Sequence, residues 1–185
     1  MNRHICALWS LTFAIATIGC GLAPGSGPYG DLVSTFGSGP KLSSKPIPSR
    51  TIVLVSPHHR GAFNYRDIVD IRLSSKVIEF DPSFPMMRRV QIPIDKITGC
   101  SMTCFGSSNW DADLLIAETG TEISIEKSKE IFDWCWEHRI PMVSAKDENA
   151  WMYSHAKLPD KSSYAKQLSS YEEWEHQRKQ ACCGY

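Results

Sequence analysis

The sequence predicts an α+β body: a small antiparallel, partly open β-barrel or sheet, closed by one C-terminal amphipathic helix and followed by a helical tail. Three observations predict it. Short segments rich in β-branched residues, several with alternating polarity, recur between turn residues from Thr51 to Glu126. Between Ser128 and Ile140 the apolar period lengthens to that of a helix. Residues 21–50, just before Thr51, are dominated by Gly, Pro and Ser and read as a linker.

Each element has its own signal. Thr51 to Val55 is a short apolar run and reads as a buried strand, with a turn over Pro57, His58, His59, Arg60 and Gly61. Asp67 to Asp81 alternates around Ser74-Ser75-Lys76, the pattern of a hairpin. Pro82 and Pro85 break the chain, and Arg88 to Ile94 supplies the next strand. Lys96 to Thr103 reads as a further strand, and Phe105 to Trp110 as a Gly/Ser/Asn loop. Asp113 to Ala117 and Glu122 to Glu126 flank a Thr119-Gly120 turn. There Ile123 and Ile125 share one face, and Glu122, Ser124 and Glu126 the other. Ser128 is the expected N-cap of a helix whose stripe holds Ile131, Cys135 and His138, stopped by Pro141. The stretch 146–163 is polar but holds Trp151, Met152 and Tyr153, which are expected to dock. Residues 164–180 read as a solvated helix.

The N-terminus carries an address. Arg3 precedes an uncharged apolar run from Ile5 to Ile18. A spanning helix needs about 20 apolar residues, so this run is short for a span and suits a secretory signal peptide over residues 1–19. Its end, Thr17-Ile18-Gly19-Cys20, resembles the lipobox of bacterial lipoproteins, with Thr17 where Leu is usual. The resemblance covers about a tenth of the chain. It implies acylation of Cys20, with palmitate as a usable label, and a permanent hold on the membrane, because each buried CH₂ contributes about 0.8 kcal/mol. Gly21 in place of Asp implies the outer membrane, facing the periplasm. Ordinary signal cleavage after Ala16 is the alternative. On the lipobox reading residues 20–50 are a lipid-anchored tether, in which the thirty flexible residues 21–50 would span about 30 Å.

The order of elements over residues 51–143, with Ile92-Pro93-Ile94-Asp95-Lys96-Ile97 at a strand entrance, resembles pleckstrin-homology-like and GRAM-like domains. That resemblance implies a barrel with a plugging helix and leaves function open, because the fold hosts lipid, peptide and protein binders alike. Residues 144–185 form a C-terminal extension containing one helix.

The chain's 20 basic and 20 acidic residues cancel, so a general nucleic-acid-binding surface is not expected. Cysteine numbers seven. With Cys6 in the signal and Cys20 acylated, an odd set of Cys100, Cys104, Cys135, Cys182 and Cys183 is left. Cys100 and Cys104 on one extended strand would lie about 13 Å apart, beyond bridging distance. They pair only across a bulge, and Cys135 on the helix is the alternative partner of either. The spacing does not suit a zinc finger, and no metal or other cofactor is expected. His58-His59-Arg60 reads as a solvated loop. Asp111 and Asp113 read as strand-end carboxylates without an acid/base division of labour. The loop residues Phe105, Asn109 and Trp110 are the candidate partner-binding surface. The function expected is therefore a non-catalytic, lipid-anchored module facing the periplasm that binds an envelope protein. Two alternatives stand beside it: an immunity-type lipoprotein that blocks a periplasmic toxin, and an enzyme whose Cys/His site is assembled only in space.

Overall fold

A computed structural model of the 185-residue chain describes residues 27–47, 51–59, 62–105, 109–143 and 145–154. Side chains at 104, 105, 109, 110, 145, 146, 149, 153 and 154 are outside that description. The expected signal peptide, Cys20 and the expected tail helix all lie outside the described residues.

The architecture is α+β, with two antiparallel sheets and a few short helices. Helix α1 (Gly27–Phe36) comes first. The strands follow: β1 (Ile52–Val55), β2 (Ala62–Tyr65), β3 (Val69–Leu73), β4 (Val77–Pro82), β5 (Val90–Pro93), β6 (Gly99–Phe105), β7 (Asn109–Ile116) and β8 (Thr121–Glu126). Helices α2 (Lys129–Glu137) and α3 (Ala145–Ser154) close the described chain. One sheet has the order β2-β1-β8-β7-β6, the other β3-β4-β5. No ladder joins the two among the described residues, so they do not close into the barrel that the sequence suggests. β5 ends at Pro93, which supplies no ladder N–H, and a 3₁₀ turn at Ile94–Lys96 leads the chain into the other sheet.

The alternation read from the sequence decides which faces meet. In the larger sheet Ile52 pairs with Ile125, Leu54 with Ile123, and Leu114 with Ile123 and Cys100. In the smaller, Phe80 lies across from Ile71 and Val90, and Ile78 from Ile92. All are buried, and they form one core with Ile131, Phe132, Trp134 and Cys135 of α2. The Trp134 indole N–H also donates to the Ser74 carbonyl at 2.8 Å, fixing α2 to the β3–β4 turn. Ser128 stands at the N-cap of α2, but its hydroxyl makes no capping hydrogen bond.

The expected tether is not borne out over residues 27–47. Tyr29, Leu32, Val33 and Phe36 fall at i, i+3, i+4 and i+7, so a helix brings them onto one face. Tyr29 and Leu32 enter the core, and Val33 and Phe36 pack against it. Pro28 suits the first turn, and Gly37, at φ +65°, takes the left-handed conformation that ends a helix, its N–H reaching the Val33 carbonyl. Beyond it the chain crosses the polar face of the small sheet. The Gly39 N–H donates to Gln91 Oε1, the Gln91 amide donates to the Pro40 carbonyl, Arg89 donates to the Gly39 carbonyl, and Ile47 bridges Ile71. Glu79, fully buried beneath this segment, accepts from Gln91 and the Leu42 N–H and lies 3.5 Å from both Arg72 and Arg89.

Two further expectations change. The loop read over 105–110 is mostly hairpin: Phe105 ends β6, Asn109 and Trp110 begin β7, and Cys104 pairs with Trp110. The polar stretch after 144 opens with α3, which packs on β6.

Candidate functional site

The face of the large sheet turned away from the core carries its polar residues. Strand alternation places Ser101 of β6, Asp113 of β7 and Ser124 of β8 in one row, since Ser101 and Ser124 both pair with Asp113. Glu122 lies on the same face of β8, two residues from Ser124. Helix α3 brings Glu148 onto this face, with Met152 one turn further on and buried.

Three carboxylates converge here. Asp113, Glu122 and Glu148 each offer an oxygen, and these oxygens lie within 4.8 Å of one another. Asp113 is fully buried and Glu148 is 4% exposed. The Ser124 hydroxyl donates to Asp113 Oδ1 at 2.5 Å, and the Ser101 hydroxyl to Glu148 Oε2 at 2.5 Å. Asp113 Oδ2 and Glu148 Oε1 have no hydrogen-bond partner among the described residues.

Burial, which disfavours the charged form, dominates the electrostatics. It pushes the Asp113 carboxyl up to about 7, with the neighbouring Glu122 and Asp111 adding to the effect and hydrogen bonds from Ser124 and Thr103 opposing it. Burial and then the charge of Asp113 push Glu148 up to about 8. Glu122 is raised by burial as well. Asp113 and Glu148 therefore keep their protons to higher pH than free carboxyls do, and a protonated carboxyl can use its otherwise orphaned oxygen as a donor. When ionised, the same oxygens form an all-oxygen donor set of the kind that suits a hard divalent cation. The arrangement can hold a proton or a cation beneath α3.

The other residues singled out in the sequence fall elsewhere. Cys100 and Cys135 are joined in a disulfide, with their Cα atoms 6.5 Å apart, so Cys104 is not the partner of Cys100. The bond ties α2 to β6 inside the core, beside the bridge of Cys100 to Met142. Phe105, Asn109 and Trp110 sit in the β6–β7 hairpin, with residues 106–108 outside the described chain. His59 meets Asp31 of α1 at 2.7 Å. His58 borders a cavity of about 160 Å³ together with Pro57, Ala117, Gly120, Trp151 and Met152, and these residues include no carboxylate or thiol. Neither histidine is among the residues of the carboxylate cluster.

The sequence reading named Asp111 and Asp113 but missed the cluster. Strand alternation places Asp113, Glu122 and Ser124 on one face, yet the arrival of Glu148 requires the helix over 145–154, whose weak amphipathicity hides it. No protein-family model matches the chain, and a search of curated proteins finds no relative of it.

Proposed function

We propose that the chain is a lipid-anchored module of the bacterial envelope that faces the periplasm and binds a partner protein by surface contact, without catalysing a reaction. The observation that carries this reading is the Cys100–Cys135 disulfide, because such bonds persist in oxidising compartments and are rare in the cytosol. The lipobox-like Thr17 to Cys20 supports the anchor. The non-catalytic reading draws support from how the reactive groups are used. Cys135, one of the cysteines a Cys/His site could use, is bonded to Cys100, and the converging carboxylates lie beneath a helix. An immunity-type role, in which the partner is a toxin delivered into the periplasm, is one form of the same contact. The finer likeness to pleckstrin-homology-like domains is part of the proposal and is supported by the helix that follows the last strand of two antiparallel sheets.

The test labels cells with palmitate and traps thiols by alkylation at lysis. The wild-type protein should take up label, Cys20→Ser should not, and Cys100 and Cys135 should resist alkylation until reduced. Undiminished labelling of Cys20→Ser overturns the anchor. Free thiols at both core positions overturn export.

A further inference from the structure

We infer that the turn between β4 and β5 is a membrane seat, in which Phe84 and Met86 enter the interface of the bilayer that holds the N-terminus and Arg88 meets lipid phosphates. The inference rests on the anchored reading above and adds to it an orientation of the domain on the membrane.

Three observations on separate parts of the chain lead to it. The first is where apolar surface remains. Among the described residues the exposed large hydrophobic side chains are Phe84 and Met86, at 38% and 62%, two positions apart on one turn. Scattered exposed apolar residues are ordinary, but two at one tip form a wedge. The second is the stiffness of that tip. The Met87 N–H closes on the Phe84 carbonyl at 3.0 Å, and Met87 itself is buried as a root. The Ser83 N–H and hydroxyl both donate to the Ile68 carbonyl, at 2.7 and 3.1 Å, and Pro82 and Pro85 restrict the backbone further. A turn held this way loses little freedom on contact. These bonds also bring the β2–β3 turn alongside, where Arg66 has a side chain 84% exposed. Arg66 pairs with Asp67 at 3.7 Å, and the exposed Arg88 on the turn itself is the cation suited to anionic headgroups.

The third observation is where the anchor enters. The Tyr29 hydroxyl, in the first turn of α1, donates to the Arg88 carbonyl at 2.9 Å. The third residue of the described chain therefore touches the root of this turn, while Gly27 itself lies against the Phe63 ring of β2. Because 27–47 is packed onto the body, the tether is not thirty residues long. Seven residue steps separate Cys20 from Gly27, and fully extended they reach about 25 Å at most. An acylated Cys20 thus keeps the wedge within reach of the lipid surface.

The test uses the full mature chain, reconstituted in phosphatidylethanolamine/phosphatidylglycerol vesicles that contain a lipid with a photoreactive diazirine in its acyl chain. After irradiation the adducts are mapped by peptide mass. The peptide containing 83–88 should be labelled at least fivefold above the one containing the exposed Ala117 and Glu118. The double variant Phe84→Ser/Met86→Ser should bring that excess down to background. Both changes are at exposed positions, and an unaltered circular dichroism spectrum confirms the fold. Equal labelling of the two peptides, or an excess the double variant leaves unchanged, overturns the seat and leaves the apolar pair to a protein partner. The mass of the N-terminal peptide reads acylation separately. An acylated chain with an unlabelled turn fails the seat alone. A labelled turn on a chain without acyl mass supports the seat and overturns the anchor.

Discussion

Glu148 shows how one side chain can couple a helix to a sheet and to pH. Its carboxyl accepts from Ser101 and stands among Asp113 and Glu122. In the unfolded chain such groups titrate near pH 4. In the fold burial raises them to about 7 for Asp113 and about 8 for Glu148. Between those limits the native state binds more protons than the unfolded one. The stability these groups allow is thus fully present below about pH 4 and is lost as pH rises through about 7 to 8. Glu148→Gln keeps the shape and the Ser101 contact but cannot ionise. We expect it to unfold in denaturant much like the wild type at about pH 5 and to be more stable at about pH 8, by on the order of 2 kcal/mol. A wild-type chain whose stability does not fall between those pH values would show that the cluster has no such coupling.

At the scale of elements, α1 decides the mechanical character of the N-terminal region. Leu32 is 1% exposed within the shared core. Leu32→Ala should therefore cost about 2–5 kcal/mol, the usual range for a truncated core leucine. Thermal or chemical unfolding would check this, and a change below about 0.5 kcal/mol would mean that residues 27–36 act as a loose leash after all. The helix was partly legible. Pro28 near its start, Gly37 after its end and the stripe Tyr29, Leu32, Val33, Phe36 are all helix signals. The surrounding Gly, Pro and Ser masked them, because composition averages over a window and a cap acts at one residue. The β6–β7 hairpin is the converse case. Gly106-Ser107-Ser108 marks a turn, but the number of flanking residues that pair depends on the partner strand.

Across the whole molecule, the Cys100–Cys135 bond is the covalent link between α2 and the large sheet. It closes a loop with a sequence separation of 35. On chain-entropy grounds a loop of that length restricts the unfolded ensemble by about 3–4 kcal/mol. Reduction, or Cys135→Ala, should lower unfolding free energy by about that amount, read as an earlier denaturant midpoint. An oxidised chain no more stable than the reduced one would show that core packing alone holds α2. The packed N-terminal segment also alters the placement of the body. A domain on thirty flexible residues would sample many orientations. Under the proposed anchor, a body whose residues 27–47 are packed is joined to Cys20 by seven residue steps, and the proposed seat at Phe84 and Met86 would present a defined side to the bilayer.

By itself the sequence determined the alternation of most strands, the position of the β3–β4 and β7–β8 hairpins, the apolar stripe of α2 and the set of cysteines able to pair. These depend on neighbours a few residues apart, where period and turn chemistry act. Only the tertiary structure decided that the strands divide into two sheets, that Cys135 takes Cys100, that residues 27–47 join the body, and that Glu148 meets Asp113 and Glu122. Each of those is a choice among partners far apart in the chain, and it is made by which burials are compatible in three dimensions, a quantity that no window of the sequence contains.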